Sequence, residues 1–149
     1  MIRPLQPEDT GTWAAMRARL WPEANPHVLA EEARAFSAGS AIPGLTIVFI
    51  AQDAAAMPVG FLELSVRAFS DGCDSTPVPH IEGWYVEPQA RGRGVGRGLI
   101  DSAERWARAR GFSEIASDTE IGNETSLRAH MRCGFDEVER LIKFRKPLV

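Results

Sequence analysis

One eight-residue run constrains the fold of this chain more than any other. It is Arg91-Gly92-Arg93-Gly94-Val95-Gly96-Arg97-Gly98, with four glycines and three arginines. A β-rich stretch, Ile81 to Val86, precedes it and stops at Pro88, which has no N–H to give to a sheet. From Val95 to Arg110 the residues Val95, Leu99, Ala103, Trp106 and Ala107 recur at helical spacing, and Gly111 is a natural stop. Strand, glycine turn and helix are therefore contiguous. Such a turn lets backbone N–H groups approach an anion closely, and the helix N-terminus adds partial positive charge, so a pyrophosphate is the natural guest. A dinucleotide fingerprint would need glycine at Arg97 or Leu99, and a Walker loop would need Gly-Lys-Ser/Thr; neither is present. The plainer reading is a flexible basic turn whose glycines serve packing.

The remaining elements are set by periodicity. Ile2 to Leu5 reads as a short strand. Asp9 is placed to cap a helix carrying Trp13, Met16 and Leu20 on one face and ending at Pro22. A second helix, Val28 to Ser37, is followed by a β-hairpin, Leu45 to Gln52 and Val59 to Val66, and then by a loop from Phe69 to Pro79. Beyond the glycine helix come a strand from Glu114 to Asp118, a helix from Glu124 to Cys133 and one long final strand from Asp136 to Lys146. The order β-α-α-β-β-β-α-β-α-β predicts an α/β fold with helices around one mixed, partly antiparallel sheet, not a doubly wound parallel one.

The 149 residues suit one domain, residues 1–149, and no repeat or low-complexity tract interrupts them. The apolar runs are strand-sized and the start, Met1-Ile2-Arg3-Pro4, is no signal segment, so a cytoplasmic location without membrane association is expected. Cys73 and Cys133 lack metal-ligand spacing and read as free thiols, with no metal expected. The net charge of −3 divides unevenly: five Arg face eleven acidic residues in 1–90, whereas twelve basic residues face nine acidic ones in 91–149. Ordinary solvated surface accounts for such a split, as does an anionic ligand on the second half and a cationic one on the first. Overall acidity argues against a nucleic-acid partner.

At the glycine run the chain resembles the GNAT N-acetyltransferases. Their signature Arg/Gln-x-x-Gly-x-Gly/Ala stands here as Arg91-Gly92-Arg93-Gly94-Val95-Gly96, preceded by Val86-Glu87-Pro88, and the family's Asn and Gly-Phe recur as Asn123 and Gly134-Phe135. The resemblance implies a largely antiparallel central sheet flanked by helices, with a β-bulge that splays the Ile81–Val86 and Glu114–Asp118 strands into a cleft. It implies acetyl-CoA as cosubstrate. The backbone of Arg91, Gly92, Arg93, Gly94, Val95, Gly96 and Arg97 would hold the CoA pyrophosphate, Trp84, Tyr85 and Val86 would pair with pantetheine like an extra strand, and Asn123 would steady its arm. The Val86 N–H would polarise the thioester carbonyl. Where the family commonly has a Tyr that protonates the departing thiolate, this chain has His130. Histidine is able to donate that proton; the alternative is packing on the helix face with Ser126 and Cys133.

Within that family several shorter strings are similar to aminoglycoside 6′-N-acetyltransferases: Leu20-Trp21-Pro22, Asp71-Gly72-Cys73-Asp74-Ser75, Glu82-Gly83, Ala116-Ser117-Asp118-Thr119 and Glu137-Val138-Glu139-Arg140. That resemblance implies a polycationic acceptor, which needs carboxylates around it. Glu82 and Asp118 are the first candidates to orient the 6′-ammonium and accept its proton; pairing with a core arginine and capping a turn are their structural alternatives. Trp21 and Glu139 are further substrate-site candidates. Direct transfer in a ternary complex is expected, because neither cysteine has a base and orienting partner in sequence. The single final strand would leave a sheet edge exposed at Leu141 to Phe144, so a homodimer with paired or exchanged C-terminal strands is expected. The competing functions are a GNAT enzyme for another amine (a polyamine, a metabolite or a protein N-terminus), a non-catalytic acyl-CoA-binding module, and a nucleic-acid binder using Arg91 to Arg110.

Overall fold

The hydrophobic pattern of the hairpin decides how the layers assemble. In the computed structural model, which describes residues 1–149, strands β1 (Ile2–Pro4), β2 (Ile47–Gln52), β3 (Pro58–Arg67), β4 (Val78–Val86) and β5 (Ala116–Ser117) form one sheet in that spatial order. All neighbours are antiparallel except β4 and β5, which run parallel. Strand alternation sends Val48, Ile50, Phe61 and Tyr85 to one face, where they meet Trp13, Met16 and Ala33 of helices α1 (Thr10–Leu20) and α2 (Pro26–Ser37). Phe49, Ala51, Leu62, Leu64 and Ile81 point to the other face and pack on Leu99, Ile100 and Ala103 of helix α3 (Val95–Ala109). Each fully buried Val, Leu, Ile, Phe or Met among them contributes roughly 1.5–3 kcal/mol by burial. Helix α4 (Glu124–Arg132) follows β5.

The α1 face also buries charge. Glu63 accepts hydrogen bonds from Trp13 Nε1 at 3.0 Å and Arg17 Nε at 2.7 Å, and burial pushes its carboxyl up to about 7 against the opposing pull of Arg17. Arg17 also reaches the Leu29 carbonyl and lies 5.3 Å from both the Trp13 and Trp21 ring centroids. Trp21 is thereby held at the end of α1, above β4.

The sequence-based elements match in order as far as α4, but several expectations change: β4 begins at Val78, inside the loop expected from Phe69 to Pro79, because Val78, Pro79 and His80 pair with Arg67, Val66 and Ser65 of β3. Asp9 precedes α1 but does not cap it: its carboxylate accepts from Arg3 and from the Gln6 N–H, joining β1 to the turn before the helix. The long strand expected from Asp136 to Lys146 is absent, and residues 136–149 follow an irregular, largely exposed path. A strand exists only by pairing, and here the segment pairs with nothing in its own chain. β5 is correspondingly short, and only one of its edges is paired, by β4.

Candidate active site

The cleft opens where β4 parts from β5. The two strands are in register only at His80↔Ala116 and Ile81↔Ser117, and β4 then continues through Trp84, Tyr85 and Val86 without a neighbour on that side. A register shift against β3 falls between Glu63↔Gly83 and Leu64↔Ile81, which makes Glu82 the extra residue of a β-bulge. The bulge expected before the glycine run is thus present, and it sets Glu82 at the cleft wall. Because the Glu87 N–H donates to Val59 of β3, strand alternation directs the Val86 N–H to the opposite, open edge.

The glycine run forms the turn into α3. Gly92 and Gly94 have φ of 74° and 81°, and a Cβ at either position would meet nothing within 4 Å, so backbone conformation and not crowding demands glycine there. At Gly96 the demand is space: a Cβ would lie 3.2 Å from the Trp84 ring, whose Nε1 donates to the Gly96 carbonyl at 3.1 Å. Arg91 Nε donates to the Val86 carbonyl at 2.8 Å, fixing the turn against the strand end, and Arg97 reaches the Arg132 carbonyl, tying α3 to α4. The start of α3, these free backbone positions and the open β4 edge fit a pyrophosphate followed by an extended amide-bearing arm. Tyr85 offers that edge only its backbone, since its side chain is buried on the α1 face and its hydroxyl donates to Glu87. Asn123 caps α4 by accepting from Ser126 N–H, and it lines the same cleft.

Glu82, Asp118, Trp21, His130 and Glu139 all line this cleft. Glu82 is gripped by Arg67, Nε to Oε1 at 2.9 Å and Nη2 to Oε2 at 2.8 Å, and accepts the Ser65 hydroxyl at 2.5 Å. Burial works to raise its pKa, but the bonds from Arg67 and Ser65 prevail and hold the carboxyl below its usual range. Asp118 is largely exposed, with Oδ2 3.3 Å from Nε2 of the buried His80. Trp21 covers Gly83, where a Cβ would lie 2.9 Å from its ring.

His130 is committed on both nitrogens. Nδ1 lies 2.7 Å from the Ser126 carbonyl, to which it donates, and Nε2 shares a hydrogen bond of 2.7 Å with the Ser117 hydroxyl. The ring sits edge-on between Trp84 and Phe135, at centroid distances of 5.2 and 5.3 Å. Arg67 and His80 also line this cleft, and Ser65 backs it from beneath through its bond to Glu82; spacing and family signature name none of the three. For Ser65 and Arg67 the signal is Glu63-Ser65-Arg67, three polar residues at period two on a strand otherwise apolar; His80 carries no such signal.

A bulged strand diverging from its parallel neighbour, beside a glycine turn at a helix start, defines an acyl-CoA-dependent transferase. The chain belongs to the acetyltransferase (GNAT) family, whose model matches residues 13–135. It is 42% identical to an aminoglycoside N(6′)-acetyltransferase type 1 of Klebsiella aerogenes, covering 99% of this chain and 97% of that protein. Its identity to one from Stenotrophomonas maltophilia is 40%, covering 99% and 93%. Among solved structures it is similar to AAC(6′)-Iy in complex with the bisubstrate analogue CoA-S-monomethyl-acetylneamine, with a TM-score of 0.88 and 34% identity over 99% of this chain and 98% of that one.

Proposed function

We infer that this protein transfers the acetyl group of acetyl-CoA to the 6′-amino group of aminoglycosides and thereby confers resistance to them. The observation that carries the reading is the placement of two carboxylates, Glu82 and Asp118, on the two walls of a cleft that also contains the open β4 edge. Relatives named for this activity match nearly the whole chain, and a similar structure was solved with a molecule that joins CoA to an aminoglycoside.

In this reading the N–H groups from Arg91 to Arg97 take the pyrophosphate at the start of α3, and the backbone of Trp84 to Val86 pairs with the pantetheine arm, which Asn123 steadies. The Val86 N–H faces the thioester oxygen and stabilises the negative charge that develops there, with no reorganisation required at the moment of reaction. Glu82, kept ionised by Arg67 and Ser65, orients the acceptor ammonium. Asp118, free of such a grip, takes the proton from the attacking nitrogen, directly or through water. Trp21 and Glu139 border the acceptor. His130 serves to shape the wall: its partners occupy both nitrogens, and a thiolate leaves without an acid. Transfer is direct, without an acetyl-cysteine; burial and nearby acidic groups raise the pKa of both Cys73 and Cys133, disfavouring the nucleophilic thiolate.

The whole of residues 1–149 acts as one domain in the cytoplasm, with no metal and with neither nucleic acid nor membrane as partner; no helix is long and apolar enough to cross a membrane. The working unit is a homodimer. Val138, Leu141, Ile142 and Phe144 are exposed on a segment without a strand partner, and one edge of β5 is open. A second copy supplies the missing pairing and brings its own segment to the cleft that Glu139 and Leu141 border. Light scattering is expected to give a dimeric mass at micromolar concentration; a monomer overturns the assembly.

Thiol release from acetyl-CoA, measured against kanamycin-type aminoglycosides, polyamines and peptides, tests the activity. Turnover is expected with the aminoglycosides. Turnover confined to polyamines or peptides contradicts the reading.

A further inference from the structure

His80 stands in the acceptor cleft without a role in the scheme above. It lies on β4, 2% exposed, and its Nε2 has no hydrogen-bond partner of acceptable geometry. Asp118 Oδ2 stands 3.3 Å from that nitrogen but off the line a hydrogen bond needs, so a small turn of the exposed carboxylate would complete the bond. Asp118 has no other ionic contact, and its side chain is 73% exposed. On its far side His80 Nδ1 faces the Ser70 hydroxyl at 3.5 Å. A buried polar atom left unpaired is unfavourable, and one pointing into a ligand cleft has its partner nearby.

We propose that His80 is a positioning residue for acetyl transfer: its Nε2–H fixes one oxygen of Asp118 when the acceptor binds, leaving the other for the amine. The inference rests on the role given to Asp118 above. The tautomer follows from the partner, because the Asp118 carboxylate can only accept and so requires the proton on Nε2, leaving Nδ1 to accept from the Ser70 hydroxyl. The charged groups around the ring are Arg67 on β3, Glu82 on β4 and Asp118 after β5; burial, with Arg67, holds the imidazole neutral against the two carboxylates. A neutral imidazole adds no positive charge to a site built for a cation. Holding a carboxylate by a second group confines it to the reactive orientation, and loss of such positioning costs from about tenfold to a hundredfold in rate.

The test is a kinetic cycle on the full-length protein with acetyl-CoA and a kanamycin-type acceptor. His80→Phe is expected to lower kcat/KM by about tenfold or more, and His80→Gln, which keeps an N–H donor, to recover most of it. Adding His80→Phe to Asp118→Asn is expected to change kcat/KM by less than about twofold, since the two act as a unit. Additive losses, or a His80→Phe enzyme with unchanged kcat/KM, overturn the proposal while leaving Asp118 in place. Full activity in Asp118→Asn removes the role of Asp118 and the proposal with it. A wild type that releases no thiol with aminoglycosides removes the acceptor reading instead. Imidazole nitrogen NMR of the wild type decides independently of folding in the variants: a proton on Nε2 is expected, and the Nδ1–H tautomer overturns the proposal.

Discussion

Arg67 grips Glu82 through two hydrogen bonds of 2.9 and 2.8 Å across the β3–β4 register, and Ser65 adds a third at 2.5 Å. This cleft-lining carboxylate of β4 is therefore already committed to cationic and hydroxyl donors, and it is a poor proton acceptor but a well-oriented anion. Glu82→Gln should accordingly raise KM for the aminoglycoside by about tenfold while kcat stays within a few-fold. Steady-state kinetics decide between this and a base role, for which kcat would fall by orders of magnitude with KM unchanged.

The glycine turn gives a second expectation. Gly94 has φ of 81° at the entrance to α3, a conformation that strains a β-branched residue by about 1–3 kcal/mol. Gly94→Val should weaken CoA binding by more than tenfold, because the N–H groups leave their common direction. Titration calorimetry with CoA reads this, and unchanged affinity would separate the turn from the pyrophosphate.

His80 carries a pH dependence of stability. Its folded pKa lies below the ordinary 6.5, chiefly from burial, so below that pH the unfolded chain binds the extra proton and unfolding is favoured as the pH falls. Between pH 8 and 6.5 the contribution is fully present, and it is lost through the folded pKa. Melting temperatures from pH 5 to 8 should therefore show a steeper acid-side decline in the wild type than in His80→Gln. Parallel curves would contradict the buried, neutral imidazole.

Replacing His130 by Phe preserves the edge-on ring contacts with Trp84 and Phe135 and removes only the bonds to Ser117 and Ser126. The variant should keep kcat within about threefold, since a thiolate needs no protein acid to leave. A fall of tenfold or more, with loss of the alkaline limb of the pH profile, would restore the acid role.

The parts of this molecule that were legible in sequence are those set locally. The glycine turn, α3 and the hairpin follow from spacing, and the family signature at Arg91 to Gly96 located the edge of β4 and its bulge. What was not legible depends on partners far along the chain. Ser65 and Arg67 reach Glu82 from 17 and 15 residues away, and His80 meets Asp118 only because β4 and β5 run parallel. Periodicity finds a polar stripe but does not say which carboxylate it will meet. The final segment departs from expectation for the same reason: Asp136 to Lys146 carries strand-forming residues such as Val138, Ile142 and Phe144, but a strand also needs an edge to join.

Acetyl transfer to one particular amine is best examined with a matched pair of aminoglycosides that differ only in bearing an amine or a hydroxyl at the 6′ position. Thiol release with each, followed by NMR location of the acetyl group, is the measurement. Acetylation is expected at the 6′ nitrogen, with no turnover of the hydroxyl compound by way of any other amine. Equal turnover of both compounds, or an acetyl group on a different nitrogen, would contradict it.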